Sequence, residues 1–277
     1  MIKTSAGNIR KVLLGDRKIN SIYVGSQLIW MGEKHPFSVS SSKKVEFSKG
    51  NLQYRASTNE WRLAPNQYSY IGLDNRNISQ NYNGWIDLFG WGTSGNNNKF
   101  PYLTSTDYSD YGDGNNDIAG TEYDWGVHNR IDHYQEGVWR IMTEDEWRYL
   151  YYRSSNLRTR GQIDGVNGYI FLPDDWEDRV QLVKDAEEYR DNLITVEAWK
   201  TMEDNGAIFL PAAGGRTGKT LVGVDNEGHY WTGSTRSVSR YAVQISFKTN
   251  FFMLEIYNRS AGFAVRLVRN TKSQENE

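Results

Sequence analysis

The chain contains no cysteine, and this absence excludes disulfide bonds, thiolate metal sites and cysteine nucleophiles together. It has no large excess of charge, because its formal net charge is -2, so a general attraction to nucleic acid is not expected. No apolar run approaches the length that spans a bilayer, and membrane insertion is not expected either. Residues 1–16 lack the apolar region of a signal peptide, so we expect no signal peptide.

Aromatic residues are abundant in a chain that is otherwise poor in apolar residues. Hydrophobic residues make up only 38% of the 277 residues, whereas aromatic residues reach 14%. Because Trp, Tyr and Phe each bury a large area, a core remains possible. The length suits one large domain, or one domain with a small appendage.

The N-terminal residues 1–32 contain two similar short units. The apolar run and glycine at 12–15 correspond to those at 22–25, and a second short run follows each. This pattern predicts two β-hairpins, which would be marginally stable alone. We therefore expect a mounting and oligomerisation module here, followed by a linker at 31–36. Residues 271–277 are predicted to be a flexible tail.

Residues 37–270 are predicted to form one α+β domain with two helices, short antiparallel strands and long ordered loops. The stretch 68–129 is rich in Gly, Asn, Asp and Tyr and shows little periodicity, so it is expected to be loop. One helix begins after Thr143, with Glu146 completing a capping box, and another begins after Thr195. The residues expected to face inward from these helices are Trp147, Leu150, Tyr151, Val196, Trp199 and Met202.

Two similar segments, 168–176 and 206–215, each predict a short apolar strand that is ended by proline. Gly206 is also the predicted end of the second helix. Residues 262–270 alternate and are expected to form the closing strand. In that strand Phe263, Val265 and Leu267 would face inward, against Ala264, Arg266 and Val268 on the other face.

Several motifs in one order carry a resemblance to a known family. They are "VWRIMTEDEWRYLYYR", "FLPAAGGR", "HYWTGST" and "GFAVRLVR". Together they resemble the C-type lectin-like fold of the formylglycine-generating-enzyme type, and more closely the variable proteins of diversity-generating retroelements. The resemblance covers residues 37–270. Separately, "INSIYVGSQLIW" resembles short modules near the start of phage tail and virion proteins.

This resemblance implies a ligand-binding protein rather than an enzyme. The formylglycine-generating enzymes use active-site cysteines, which this chain lacks, so their activity is not carried over. In the retroelement family the segment corresponding to 230–269 is diversified at adenines of a template. The implied variable surface consists of Arg236, Ser239, Arg240, Tyr241, Ser246, Phe251, Phe252, Tyr257 and Ser260.

The implied setting is display on a virion, at a phage tail, or on a cell surface. The expected ligand is a host cell-surface protein or glycan, because Tyr, Phe and Arg anchor interfaces well. No cofactor is expected. The hairpin module needs a partner, so a homo-oligomer is expected, with a trimer favoured. The alternative is a carbohydrate-binding or structural surface domain of the same fold, without diversification.

Codon and strand patterns divide the C-terminal segment further. Replacing adenines in Asn codons cannot produce Gln, Lys, Met or Glu, so four positions should be fixed scaffold. These positions are Gln244, Lys248, Met253 and Glu255. Strand alternation is expected to place Tyr241 and Ser246 on the outer face. At least one of the adjacent Phe251 and Phe252 is expected to be exposed.

The segment "AGGRTGKT", residues 213–220, nearly matches a phosphate-binding loop. Ala213 stands where that motif has glycine, and no helical period follows. A glycine-rich loop between two strands is therefore favoured, and no nucleotide site is expected.

Metal sites find weak support in the sequence. The aspartates in residues 107–117 could supply oxygen ligands to calcium, but their spacing is not that of an EF-hand. A solvated loop is favoured there and a calcium site stays open. The histidines show no metal-ligand spacing; they are His35, His128, His133 and His229. The tryptophans predicted to be core are Trp125, Trp139, Trp147, Trp199 and Trp231, with Trp85 and Trp91 as loop anchors.

Overall fold

The computed structural model describes residues 35–178, 180–236 and 238–271 in full, and the backbone of 12–14, 17–19, 21–24 and 27–31. The first strands are β1 (Val12–Leu14), β2 (Arg17–Ile19), β3 (Ser21–Val24) and β4 (Gln27–Met31). Strand β1 pairs antiparallel with β2, and β3 pairs antiparallel with β4, as the repeated pattern predicts. The predicted hairpin turns, half of the linker and nearly all of the tail lie outside the described residues.

The main body contains short strands and a few short helices. The strands are β5 (Phe37–Ser38), β6 (Lys44–Phe47), β7 (Leu52–Arg55), β8 (Glu60–Leu63), β9 (Arg158–Ile163), β10 (Val166–Phe171), β11 (Leu193–Ile194), β12 (Ile208–Pro211), β13 (Gly215–Thr217), β14 (Thr220–Val222), β15 (Gly228–Thr235), β16 (Tyr241–Lys248), β17 (Phe251–Asn258), β18 (Ala261–Gly262) and β19 (Val268–Asn270). The α-helices are α1 (Trp125–His128), α2 (Glu144–Tyr152) and α3 (Val196–Asp204). Short 3-10 turns occur at Gly72–Asn77, Asn96–Asn98, Tyr108–Asp110, Ser155–Leu157 and Tyr189–Asp191.

These strands assemble into several small sheets rather than one large one. Their strand orders are β7-β8, β19-β6-β5, β11-β9-β10-β12, β14-β13-β18 and β15-β16-β17. Strand β11 pairs parallel with β9, and the other pairs in these sheets are antiparallel. The fold is therefore α+β, and the long loop region predicted at 68–129 contains only 3-10 turns, isolated bridges and α1.

Helix α2 begins as its capping box predicts. The Thr143 hydroxyl oxygen accepts a hydrogen bond from the backbone N–H of Glu146 at 3.3 Å, and the Glu146 carboxylate accepts from the Thr143 N–H at 3.0 Å. Trp147 and Leu150 are buried on its inner face, and Tyr151 is half-buried beside them.

Helix α3 is also confirmed, with one correction. Thr195 caps it by accepting from the Ala198 N–H at 3.2 Å, and Trp199 and Met202 are buried. Val196, which was expected to face inward, is 39% exposed. The apolar cluster that covers Trp199 and Met202 includes Ala198 at its margin but not Val196, which lies on the solvent side of the first turn.

The two similar strand segments become neighbours in one sheet. Strand β10 pairs antiparallel with β12, so that Gly168 lies opposite Pro211 and Phe171 opposite Ile208. Both strands are buried over the shared apolar residues, as the prediction of short core strands requires.

The C-terminal segment separates two apolar clusters, which explains why its predicted alternation fails as a guide to burial. Phe263, Val265 and Leu267 pack into one cluster, whereas Ala264 and Val268 pack into the other. The faces do alternate, but both are interior, and Arg266 is buried as well at 1% exposure. The predicted closing strand is confirmed only at β19, which pairs with β6.

Most tryptophans are core residues. Trp125, Trp139, Trp147, Trp199, Trp231 and Trp91 are all buried. Trp85 is half-buried, and the guanidinium groups of Arg55 and Arg62 lie 4.3 and 3.8 Å from its ring centroid. Both predicted loop anchors therefore fix loop residues to the body. No helix within the described residues is long and apolar enough to cross a membrane.

Candidate functional site

The sheet β15-β16-β17 contains most of the predicted binding residues. Strand β16 lies in the middle and pairs with β17 without interruption, from Tyr241 opposite Asn258 to Lys248 opposite Phe251. Strand β15 pairs along its other edge, with an irregularity between Trp231 and Thr235. From Ala242 to Phe247 every residue of β16 is buried, so β16 is a rigid support for its neighbour.

Strand β17 is the exposed edge of this sheet. Met253 and Ile256 are each 47% exposed and Tyr257 is 43% exposed. Because successive side chains of a strand point to opposite faces, Ile256 lies on one face and Met253 and Tyr257 on the other. The strand thus presents apolar side chains on both of its faces.

The two adjacent phenylalanines of β17 are both half-buried, so the expectation that one would be exposed is wrong. Phe252 stacks on Tyr151 of α2 at a ring-centroid distance of 4.0 Å and lies 4.8 Å from Tyr169. Phe251 points to the opposite face, where the Lys248 ammonium is 5.9 Å from its ring centroid. Phe252 therefore anchors the start of β17 to the core.

Two serines proposed for the variable surface are interior, which corrects their assignment. Ser246 is 7% exposed because it lies on the central strand opposite His229, and it is not on an outer face. Ser260 is 5% exposed, and its hydroxyl donates to the side-chain oxygen of Asn258 at 2.9 Å. Alternation along one strand cannot reveal that both faces of β16 are covered.

The connection from β15 to β16 carries the charged part of the candidate surface. Arg236 and Arg240 are exposed, and Ser239 and Tyr241 are half-buried. The Arg236 guanidinium bonds the Glu144 carboxylate at 2.6 Å, at the first residue of α2. The Arg240 guanidinium lies 5.4 Å from the ring centroid of Tyr108.

A buried arginine holds this surface together. Arg259 is 1% exposed, and its guanidinium lies 4.4 Å from the ring centroid of Trp91. It donates hydrogen bonds to the carbonyl oxygens of Tyr241, at 3.2 Å, and Gly114, and to the hydroxyl of Thr235. One side chain thus joins β15, β16 and the aspartate-rich loop. Burial lowers the pKa of Arg259 to about 10, so it stays charged near neutral pH.

The aspartate-rich loop contacts the end of β15 but does not gather its carboxylates, and most of its residues are exposed. The Asp117 carboxylate accepts from the N–H of Thr235 at 2.7 Å, and Asp113 accepts from the Asn116 amide at 3.2 Å. Asp107 accepts from the N–H and the hydroxyl of Ser109, both at 2.9 Å. Within the described residues no group of three or more Asp, Glu or His side chains is placed to hold a metal ion.

The segment 213–220, which nearly matches a phosphate-binding loop, forms part of an antiparallel strand pair. Strands β13 and β14 flank Gly218, and no helix follows them in residues 223–236 or 238–271. Arg216 is 1% exposed and donates to the carbonyl oxygens of Leu88, Gly218 and Leu103 at 2.9 to 3.0 Å. The Arg216 guanidinium therefore joins three separate segments of backbone. These contacts agree with the predicted glycine-rich loop between two strands.

The fixed-scaffold positions fall in unlike environments. Gln244 is fully buried, its side-chain oxygen lies 3.0 Å from a ring nitrogen of His229, and its amide donates to Glu255 at 3.3 Å. The ring of His229 stacks on that of Phe263 at 4.8 Å. Met253, by contrast, is on the open surface of β17.

A separate cavity of about 340 Å³ lies away from these strands. Its lining includes Tyr134 and Trp139, whose rings meet edge to face at 5.2 Å, together with Asp132 and Phe47. The buried indole N–H of Trp139 has no acceptor among the described residues. Aromatic walls beside a carboxylate are suited to a small polar ligand.

Sequence reasoning missed the buried charges. Arg216, Arg259 and Arg266 are fully buried and bond mainly to backbone carbonyls. Asp124 is also buried and accepts from the N–H groups of Gly126 and Ile141, and burial raises its pKa to about 6. The three arginines lie in or beside the motifs quoted above, and this position was the only sequence feature that pointed to a structural role for them.

Comparison with protein-family models, with curated proteins and with solved structures gave no match.

Proposed function

We propose that this protein is a ligand-binding protein with a C-type lectin-like domain, of the variable-protein type that accompanies diversity-generating retroelements. Its binding surface is formed by strand β17 and by residues 236 and 238–241 of the connection between β15 and β16. The motif order within residues 37–270 supports the family assignment. The mixed α+β fold with small antiparallel sheets and long loops is compatible with it.

The observation that carries the proposal is the exposure of apolar side chains on a rigid support. Met253, Ile256 and Tyr257 are each more than 40% exposed, whereas the register partners Ser246, Val243 and Ala242 are buried. Met253 and Tyr257 share one face of β17, and exposed apolar surface of this kind marks interaction sites in soluble proteins. The exposed Arg236 and Arg240 add the residue type that, with tyrosine, anchors protein interfaces.

Side-chain exchange is feasible at some of the proposed variable positions and costly at others. Arg240 and Tyr257 project from the surface, so replacing them leaves the backbone supported. Ser246 and Ser260 are enclosed, so a larger side chain there would overpack the interior. Phe252 anchors β17 to the core, so its replacement would be costly as well. We therefore restrict the variable surface to Arg236, Ser239, Arg240, Tyr241, Phe251 and Tyr257.

The proposed ligand is a protein or glycan on a host cell surface, and the proposed setting is a phage tail or another displayed structure. The paired strands β1-β2 and β3-β4 support the interpretation of the N-terminal residues as a mount. We propose no catalytic activity and no cofactor.

The test is to sequence this gene, with its flanking DNA, in many members of the source population. We expect a nearby reverse transcriptase gene and a near-copy of the segment encoding 230–269, with adenines at the variable codons. Differences between members should fall on the codons of Arg236, Arg240, Tyr241 and Tyr257, and spare those of Gln244 and Glu255. Differences spread evenly over surface codons, without a template copy, would contradict the proposal.

The second candidate is a carbohydrate-binding domain that is not diversified. The cavity beside Tyr134 and Trp139 favours it, because an aromatic wall beside a carboxylate suits a sugar. In that case the codons for Asp132, Tyr134 and Trp139 should be constant in the sequenced population. Strand β17 should then show no concentration of differences.

A further inference from the structure

The backbone of β17 offers an unused row of hydrogen-bonding groups. The carbonyls of Tyr241 and Val243 accept hydrogen bonds from the side-chain hydroxyls of Thr235 and Thr232 of β15, at 2.8 and 2.9 Å. The Arg259 N–H donates to the Arg240 carbonyl at 3.1 Å, so the hydrogen-bonded pairs with β17 begin at Arg240, and Tyr241 and Val243 direct their backbone groups toward β15. In an antiparallel pair, hydrogen-bonded and non-hydrogen-bonded positions alternate. The residues of β17 opposite them, Asn258 and Ile256, therefore direct their N–H and C=O groups away from β16.

The same alternation applies to Leu254 and Phe252, which lie opposite Ile245 and Phe247. Four residues of β17 therefore present backbone donors and acceptors outward. Their N–H and C=O groups have no partner within the described part of the chain. Strand edges of this kind are templates for another strand.

Strand β17 also lacks the features that protect an edge. Its sequence FFMLEIYN contains no proline and no lysine, and Glu255 is its single charge. The pairing with β16 runs through every position without a bulge that could twist the edge away. Such devices are the usual means by which soluble proteins prevent pairing of sheet edges. The absence of these devices indicates that another strand pairs with this edge.

We propose that a second copy of this chain covers the edge, with the two β17 strands pairing antiparallel about a two-fold axis at Leu254. In this register Phe252 lies opposite the partner's Ile256, and Phe251 lies opposite the partner's Tyr257. Aromatic pairs and aromatic–β-branched pairs are favourable across strands. Glu255 lies opposite the partner's Met253, so no like charges meet.

The neighbouring registers are worse. An axis at Glu255 sets two carboxylates directly opposite each other, which is destabilising. An axis at Met253 sets Phe251 opposite the partner's Glu255 and leaves Tyr257 beyond the paired strands. An axis between two residues would pair an outward-facing residue with an inward-facing one, and the hydrogen bonds could not form. The self-complementary register is therefore specific.

The dimer would join two β15-β16-β17 sheets into one. Because the axis is perpendicular to the sheet, Phe251, Met253 and Tyr257 of both copies would lie on the same face. The inference goes beyond the proposed ligand-binding function and does not depend on it, since it rests on the edge geometry of β17 and on the side-chain pairs of this sequence across that edge. The proposed dimer has its two-fold contact in residues 37–270. The prediction from the sequence was different, because it favoured a trimer formed through the N-terminal module.

Single-cysteine cross-linking tests the register directly, because the chain contains no cysteine. In the full-length Leu254→Cys variant the two introduced residues would be directly opposite, with Cα atoms about 5.5 Å apart, within the range of a disulfide. We expect treatment with diamide to produce a covalent dimer on a non-reducing gel, which dithiothreitol converts back to monomer. The matched control is Val222→Cys, which is 52% exposed on the edge strand β14 and should stay largely monomeric.

Two further variants fix the register. The double variant Phe251→Cys/Tyr257→Cys should also form disulfide-linked dimers, and it keeps Leu254, which is partly packed against the core. Met253→Cys should form far fewer, because residue 253 and its copy would be diagonal neighbours about 7–8 Å apart. Equal yields for Leu254→Cys and Val222→Cys would overturn the dimer, and a higher yield for Met253→Cys would overturn the register. These yields are independent of the sequencing result that tests the proposed function.

Discussion

Strands β16 and β17 each contain eight residues and lie opposite each other along their whole length. By sequence β17 is the more apolar of the two, since β16 includes Gln244 and Ser246. Nevertheless Gln244 is fully buried, whereas Ile256 of β17 is 47% exposed. The place of a strand within its sheet, and not the polarity of its side chains, decides which strand is interior.

The structure accommodates the polar residues of β16 by giving them partners. The Gln244 side chain meets His229 on one side and Glu255 on the other, which offsets the cost of burying an amide. Met253 and Ile256 of β17 are 47% exposed, and Tyr257 is still 43% exposed although its ring meets that of Phe263 edge to face. This difference is the physical reason to look for a binding partner at β17 and a supporting role for β16.

Among the substitutions that remove a side chain or its charge, the largest expected effect comes from opening a cavity behind β16. Phe247 is fully buried, and its ring lies 5.5 Å from Tyr169 and 6.1 Å from Tyr230. Phe247→Ala should lower the free energy of unfolding by about 3–5 kcal/mol, because buried contacts are lost and a cavity remains. Urea denaturation followed by tryptophan fluorescence measures the change.

The control for this prediction is Phe251→Ala on β17, where the same truncation starts from a half-buried ring. It should cost less than half as much, since less area leaves the interior. Similar losses for the two variants would show that β17 is as much a core strand as β16.

A smaller effect is expected from the arginine that joins the two strands to the loops. Arg259→Met keeps most of the side-chain volume but leaves the carbonyl of Gly114 and the hydroxyl of Thr235 without this donor. Loss of such bonds should lower the free energy of unfolding by about 1–3 kcal/mol. The same denaturation measurement applies.

Arg240→Met is the matched control, because the Arg240 carbonyl accepts from the Arg259 N–H while its own side chain is exposed. It should change stability by no more than about 0.5 kcal/mol. If the two variants were equally stable, Arg259 would not have the supporting role that its contacts suggest.

Local signals in the sequence predicted much of the scaffold. The capping box at Thr143 and Glu146 predicted the start of α2, and the paired segments ending in proline predicted β10 and β12. These features depend on neighbours a few residues away, so a single sequence carries them. The loop character of 68–129 was predictable for the same reason.

Burial at the candidate site was less predictable, because it depends on distant residues. Ser246 is enclosed by β15 and β17, and Arg259 is enclosed by Trp91 and the loop at Gly114. None of these neighbours is adjacent in the chain. Alternation could assign faces to a strand, but it could not show that both faces of β16 are covered.

The smallest expected effect concerns the exposed edge itself. Ile256→Lys places a long side chain with a charged end at a position that is 47% exposed, where the ammonium group can reach water. At protein concentrations low enough for a monomer, the free energy of unfolding should change by no more than about 0.5 kcal/mol.

The register partner Val243 is fully buried, so Val243→Lys should prevent or severely weaken folding, because an unpaired charge would enter the core. A loss of several kcal/mol in Ile256→Lys would mean that this face of β17 is covered within a single chain. A near-neutral result, beside the failure of Val243→Lys, would show that two side chains directly opposite each other lie on different sides of the boundary between core and surface.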